Sequence, residues 1–248
     1  MTTATAEPGD PATGGFLFPG PWLGGLSLVV GPVLLLTGTL LRLGVPFFFP
    51  GQLTAYQQHP ALMTTAYGMF LAGTIALWPG IVAVAVRVGI SRPAWSAWGG
   101  SLVMLGLFAR TFHYGVNTFA FALVDSAGVS AATRAVGSYY GYREWIASSL
   151  TLALMLGWIV LAIGCYLSRT LGLLPAIGLA LMSGLMIGVL KGSTWPSAVE
   201  VAGLAAALVP LGVKTLRTAR RPTRTAVTRT TLLLLLFVVG SVVLGQLG

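Results

Sequence analysis

Long apolar stretches alternate with short polar connections along almost the whole chain. A helix rises ~1.5 Å per residue, so about 20 mainly apolar residues are needed to cross the ~30 Å hydrocarbon layer of a bilayer. Backbone polar groups in lipid must pair within the protein, which favours helices. The pattern therefore predicts an all-α fold, a polytopic transmembrane helical bundle of about seven spans. These spans are residues 22–45, 60–88, 95–124, 145–167, 171–190, 195–213 and 230–247.

The seventh stretch is barely long enough to cross, so a bundle of six spans with a membrane-surface tail remains an alternative. Composition supports the membrane assignment, because 8% of the residues are charged, 56% are hydrophobic and the mean hydropathy is +0.88. Too few polar groups are present to cover a water-soluble globule of this size. Residues 1–16 contain no Lys or Arg and so lack the basic n-region of a secretory signal. We expect a disordered tail there, followed by one transmembrane domain over residues 17–248.

Of the fourteen cationic residues, all but Arg110, which lies within a span, are divided unequally between the two sides of an alternating chain. Four face one side (Arg42, Arg134, Arg143 and Lys191), whereas nine face the other (Arg87, Arg92, Arg169, Lys214, Arg217, Arg220, Arg221, Arg224 and Arg229). The positive-inside rule then places the N-terminus and the basic loop 214–229 in the cytoplasm of a multi-pass cell-membrane protein. Anionic lipids are the expected partners of this loop, and nucleic acid is not, because the loop carries no aromatic residues. Twelve Arg against two Lys indicates a GC-rich bacterial genome.

Small residues recur every four positions in the fifth predicted span: Ala176, Ala180, Gly184, Gly188 and Gly192. Such a ridge lets a neighbouring helix approach closely in lipid. We interpret it as a packing surface within the bundle. A homo-oligomer formed through the same ridge is the alternative.

The third predicted span carries a polar stripe. At ~100° per residue, one third of its circumference holds Arg110, His113, Tyr114, Asn117 and Phe121, with Asp125 at the edge. A guanidinium in mid-bilayer costs roughly 2.5 to 3.5 kcal/mol, so Arg110 needs a protein partner or a water-filled pocket. Two interpretations remain open: an ion pair that joins two helices, or a functional cavity.

Three carboxylates lie near the membrane, and alternation places Asp125, Glu144 and Glu200 in the outer half of the bundle. Glu200 is flanked only by apolar residues from Ala198 to Leu208, which disfavours its charged form unless it is paired. It is therefore either the counter-ion of Arg110 or a proton donor. Glu144 is also consistent with a helix-start acid, and Asp125 with a solvated loop residue.

No cofactor and no metal site are expected from this sequence. His59 and His113 lie ~15 Å apart along the membrane normal at helical rise, which is too far for one haem iron. Cys165 is the only cysteine and behaves as a small buried hydrophobe. Familiar phosphate-binding, hydrolase and zinc-protease motifs are absent.

Size, span count and the acids Asp125, Glu144 and Glu200 resemble those of the small membrane-bound terpene cyclases of meroterpenoid biosynthesis. The resemblance implies acid-initiated ring closure of a prenyl chain, with these three acids as catalytic residues. We expect a lipophilic isoprenoid substrate in the same cavity. The residues expected to bind it are Arg110, His113, Tyr114, Asn117, Phe121 and Trp195. The alternative is a non-catalytic membrane protein, a transporter, resistance protein or sensor, that binds a small amphiphile there.

Overall fold

The structure is a computed structural model that describes residues 17–142, 145–221 and 223–247. Helices are the regular elements throughout these ranges, and none of the described residues forms a strand, so the all-α prediction is confirmed. The predicted tail 1–16 and Glu144 lie outside the described residues. The helices are α1 (Gly20–Leu40), α2 (Phe49–Gln58), α3 (Pro60–Gly89), α4 (Pro93–Gly141), α5 (Trp145–Leu167), α6 (Leu173–Ala180), α7 (Trp195–Thr218) and α8 (Arg224–Leu247).

Five of these helices, α1, α3, α4, α5 and α7, are long and apolar enough to cross a membrane. The chain is therefore a membrane protein built as a helical bundle. Two further apolar helical stretches, Leu173–Gly184 and Val227–Ser241, are shorter than a span. The total of seven spans remains a prediction.

The interior of the bundle is apolar, and we call it the bundle core. Its fully buried side chains include Leu77, Leu107 and Trp158. Close approach of the helices depends on glycine: a Cβ added at Gly157 of α5 would lie 2.7 Å from the backbone nitrogen of Val103 in α4. Shape complementarity between backbones therefore holds α4 against α5.

The prediction of a continuous helix over residues 171–190 is wrong. Helix α6 ends at Ala180, a single 3₁₀ turn covers Leu181–Gly184, and residues 185–194 are not helical. The physical reason is the density of glycine, a poor helix former, at positions 184, 188 and 192. Leu190 also adopts a positive φ of 50°. We call residues 185–194 the unwound segment.

A second group of buried residues lies at the end of the bundle where α7 begins. It is formed by α2, by the first turns of α3, by α4 from Tyr114 onwards and by the unwound segment, which together we call the cap. Residues 46–59 connect the first two predicted spans, and there the structure has a helix, α2, with Leu53 fully buried. The third predicted span ends at residue 124, close to Gly128, where a non-helical backbone divides α4 into two parts, and the second part runs on to Gly141. A bend at Gly128, where φ is +82° and ψ is 164°, lets its last turns fold over α2.

Two hydrogen bonds identify the opposite ends of the bundle. Arg87 of α3 donates to the hydroxyl of Thr215 at 2.8 Å, and Arg42 after α1 donates to the carbonyl of Lys191 at 3.2 Å. The chain divides into two units, one running to Arg217 and one from Thr218 to Gly248. The second unit holds α8, in which most of the described apolar side chains are exposed.

Candidate functional site

Two side chains of the polar stripe in α4 bind the backbone of the unwound segment. Arg110 donates from Nη2 to the carbonyl of Leu185 at 2.6 Å. Asn117 accepts the backbone N–H of Leu190 at its Oδ1, at 2.7 Å. Backbone N–H and C=O groups outside a helix at membrane depth must form hydrogen bonds with protein or with water in a cavity. Side chains of α4 supply some of these hydrogen bonds.

Two residues outside the stripe complete this set of contacts. Tyr140, in the last part of α4, donates to the carbonyl of Val189 at 2.6 Å. Arg42 is 5% exposed and donates to the carbonyls of Gly38, at 3.1 Å, and Lys191. From the sequence, Arg42 is only one of the cations flanking a span and Tyr140 is not singled out, because nothing near them in the chain shows that a distant segment lacks hydrogen bonds.

Arg110 faces protein, and the partner that its position requires is a backbone carbonyl. Its guanidinium carbon also lies 5.8 Å from the centre of the Phe70 ring, and its Nε is buried without a hydrogen bond. Glu200 interacts with it electrostatically. Among the contacts of the described residues, however, Glu200 and Arg110 form no direct ion pair.

A cavity of about 60 Å³ lies where α1, α3 and α4 meet the unwound segment, and we call it the polar cavity. Its size allows a few water molecules or one small headgroup. None of the described Asp or Glu residues lines it. The lining residues are Thr39, Arg42, Tyr67, Phe70, Leu71, Thr74, Arg110, His113, Tyr114, Asn117, Leu185, Met186, Ile187, Gly188, Lys191, Gly192 and Ser193.

His113 belongs to this cavity and is 9% exposed. Its Nδ1 lies 2.8 Å from the carbonyl oxygen of Ala109, which can only accept, so Nδ1 carries the proton. The neutral ring then has its acceptor lone pair at Nε2, which makes no hydrogen bond with the described residues. Of the six predicted binding residues, His113, Tyr114, Arg110 and Asn117 are therefore together.

A second cavity, of about 280 Å³, contains the carboxylate of Glu200, and we call it the acid cavity. Its lining is Phe47, Gly184, Leu185, Met186, Gly192, Thr194, Pro196, Ser197 and Glu200. The carboxylate lies directly against Gly184, where any side chain would overlap with it. Both cavities are lined by Leu185, Met186 and Gly192, so they adjoin along the unwound segment.

Asp125 lies elsewhere, in contact with α2. Its Oδ2 accepts a hydrogen bond of 2.7 Å from the hydroxyl of Tyr56, and its side chain is exposed. This hydrogen bond, with burial of the ring, raises the pKa of Tyr56 above its ordinary value. Asp125 lines neither of the two cavities, so the structure does not bring it together with Glu200.

The two remaining predicted binding residues also lie outside the cavities. Phe121 stacks on Tyr56, with ring centres 4.2 Å apart, inside the cap. Trp195 is 74% exposed at the start of α7, one residue before the Pro196 that lines the acid cavity.

The part of the chain that the structure describes contains no group of three His, Cys, Asp or Glu side chains able to hold a metal ion. Neither the protein-family models, nor the curated proteins, nor the solved structures gave a match to this chain.

Proposed function

We propose that this membrane protein binds a small amphiphile at the unwound segment, as a step in transport or resistance. The observation that carries the proposal is the polar cavity itself, in which charged and hydroxyl groups face Phe70, Leu71 and Ile187. Polar groups in lipid are costly, and their grouping in one cavity is typical of a binding site.

The unwound segment supports this function. In many transporters the substrate site lies where transmembrane helices are interrupted, because free backbone groups and helix ends are exposed to the ligand there. Here α6 is interrupted at the polar cavity, and Arg42, which follows α1, and side chains of α4 stabilise the freed backbone. Such a segment can rearrange when one hydrogen bond is exchanged for a contact with ligand.

The test is binding of decanol and decanoate to the full chain in phosphatidylcholine nanodiscs, measured by titration calorimetry, with flux measured in liposomes. Met186→Trp fills the region common to both cavities at a position that is 65% exposed, so it should abolish binding without overpacking the core. Ile90→Trp, at an 85% exposed position outside the cavities, is the matched control. Absence of binding by the unmodified chain would refute the function.

A second candidate is acid-initiated cyclisation of a prenyl chain, and the acid cavity favours it. Glu200 makes no hydrogen bond with the described residues. The volume of the acid cavity is close to ~300 Å³, the lower end of the range for ligand pockets. A protonated Glu200 would be the proton donor. Glu200→Gln should then abolish turnover of a prenylated substrate, whereas Asp125→Asn, which removes a charge outside the cavity, should retain it. Equal turnover by both variants would contradict this candidate.

For orientation, we propose a cell-membrane location with the N-terminus and the basic loop 214–229 in the cytoplasm, where anionic lipids bind the loop. The unequal division of cationic residues supports this arrangement. Single cysteines at positions 92 and 134 of a Cys165→Ala chain should react with a membrane-impermeant maleimide from opposite sides. A homo-oligomer through the small residues of the fifth predicted span remains a further hypothesis.

A further inference from the structure

The charges around the polar cavity are all of one sign. Arg42, Arg110 and Lys191 line it, and the nearest acid that interacts with Arg110 is Glu200, in the adjoining acid cavity. Like charges in a region of low dielectric repel one another strongly. The cavity is therefore electrostatically suited to a negatively charged group.

The two arginines converge on the same part of this cavity. Their guanidinium carbons lie 5.0 Å (Arg42) and 5.8 Å (Arg110) from the centre of one aromatic ring, that of Phe70. Backbone carbonyls occupy Nε and Nη1 of Arg42 and Nη2 of Arg110. A guanidinium carries five N–H donors, so donors remain on both side chains, and the buried Nε of Arg110 has no partner at all.

Lys191 contributes charge from a fixed position. Its ammonium lies 5.0 to 5.5 Å from the centres of three rings, those of Phe47, Phe48 and Tyr140. These cation–π contacts hold the ammonium at one edge of the cap. Both arginines present free donors to the cavity, and the ammonium of Lys191 adds to its positive field.

We propose that the polar cavity binds the carboxylate of a small amphiphile between Arg42 and Arg110, with the hydrocarbon chain along Phe70, Leu71 and Ile187. This inference rests on the proposed amphiphile-binding function and adds the class of headgroup. Guanidinium donors match the two oxygens of a carboxylate. A cavity of about 60 Å³ has room for such a headgroup and not for a whole ligand, so the chain must continue along the apolar wall.

The first test uses the unmodified chain in phosphatidylcholine nanodiscs with ligands that differ only in the headgroup. Decanoate should bind about tenfold or more tightly than decanol, and decyltrimethylammonium should bind weakest, because a fixed cationic site discriminates by charge. Equal affinity for all three would overturn the carboxylate assignment and leave the amphiphile function intact. Binding of none of them would refute both.

Two further measurements identify the source of the anion. Acetate should bind far more weakly than decanoate, and acetate binding as tight as that of decanoate would overturn the amphiphile part of the assignment. Nanodiscs of phosphatidylglycerol test a lipid headgroup as the occupant. If decanoate binds more weakly in these nanodiscs than in phosphatidylcholine nanodiscs, the lipid headgroup competes with it. That result would support an anion-binding cavity and would identify the lipid as its occupant.

The second test places an acid inside the cavity. Asn117→Asp retains the oxygen that accepts the N–H of Leu190, and its charge faces the arginines in place of the ligand. It should reduce decanoate affinity at least about tenfold with an unchanged or raised unfolding temperature. Ser138→Asp adds the same charge on an exposed part of α4 outside the cavity and should bind normally. Decanoate binding unchanged in a folded Asn117→Asp protein would overturn the proposal.

Discussion

The bundle core and the cap are stabilised by different forces. In the bundle core, apolar side chains fill the space between helices that touch backbone to backbone at glycines such as Gly157. In the cap, Arg42, which follows α1, and side chains of α4 bind the backbone of a segment that has lost its own helical hydrogen bonds. The difference explains why polar residues sit deep in this protein: several of them replace missing helical hydrogen bonds.

Under the proposed function, the residues that stabilise the unwound segment would also bind the ligand. Arg42 and Arg110 each use part of their donors on carbonyls and have others free at the polar cavity. Five substitutions test the contrast between the bundle core and the cap, and each should be measured as thermal unfolding of the full chain in detergent micelles.

The largest effect is expected from overpacking the bundle core. Gly157→Ala places a Cβ at 2.7 and 2.8 Å from backbone atoms of Val103 and Leu102, which cannot move aside as a side chain would. We expect a loss of about 3 kcal/mol, the upper range for overpacking. Gly68→Ala, where an added Cβ meets nothing within 4 Å, should be neutral or stabilising. Equal stability of the two variants would contradict backbone contact between α4 and α5.

Next in size is Arg110→Leu at the boundary between the two regions. The carbonyl of Leu185 loses a charge-assisted hydrogen bond and stays without a partner, so about 2–3 kcal/mol should be lost. The exposed Arg92→Leu is the control and should change little. A stable Arg110→Leu protein that only fails to bind decanoate would show that Arg110 serves the ligand and not the fold.

Within the cap, Asn117→Leu should cost about 2 kcal/mol, since it leaves the buried N–H of Leu190 unpaired. Asn117→Asp is the matched control, because it retains the oxygen that accepts the N–H of Leu190 at nearly the same size. If Asn117→Leu is as stable as the unmodified chain, the unwound segment does not depend on this contact.

A smaller effect is expected at the bend in α4. Gly128→Ala forces a residue with a Cβ to a φ of +82°, which should cost about 1–2 kcal/mol of stability. The cost comes from the backbone conformation, since nothing lies within 4 Å of the new atom to clash with it. Gly115→Ala, in the same helix and also in open space, should instead gain stability. Equal gains at both positions would contradict the bend.

The smallest effect should follow Tyr56→Phe, which removes the hydrogen bond to Asp125 at a cost of about 1 kcal/mol. The pKa of Tyr56 is raised above 10.0, so the neutral, donating hydroxyl persists through neutral pH. Its contribution should be complete below pH 10 and disappear as the pH rises through the raised pKa. Tyr56→Phe should lack this alkaline loss. The same pH dependence in both proteins would refute the assignment.

Much of the fold was predictable because apolar length and helix-breaking residues are local signals. The predicted span 145–167 coincides with α5, and the span starting at residue 195 begins where α7 does. The polar stripe in α4 also identified Arg110, His113 and Asn117 as neighbours of one cavity. The stripe did not predict the positions of Phe121 and Asp125, which contact Tyr56 of α2 instead. One face of such a long helix contacts the polar cavity at one level and the cap at another.

By itself, then, the sequence determined a membrane-embedded bundle of helices with a polar stripe facing inward, because hydrophobicity and helical period are properties of neighbouring residues. Only the tertiary structure decided that the guanidinium of Arg110 binds the carbonyl of Leu185, and that Arg42 and Lys191 line the same cavity. These contacts join residues as far apart as 149 positions along the chain. Which backbone groups lack partners, and which side chains can reach them, depends on how the helices pack.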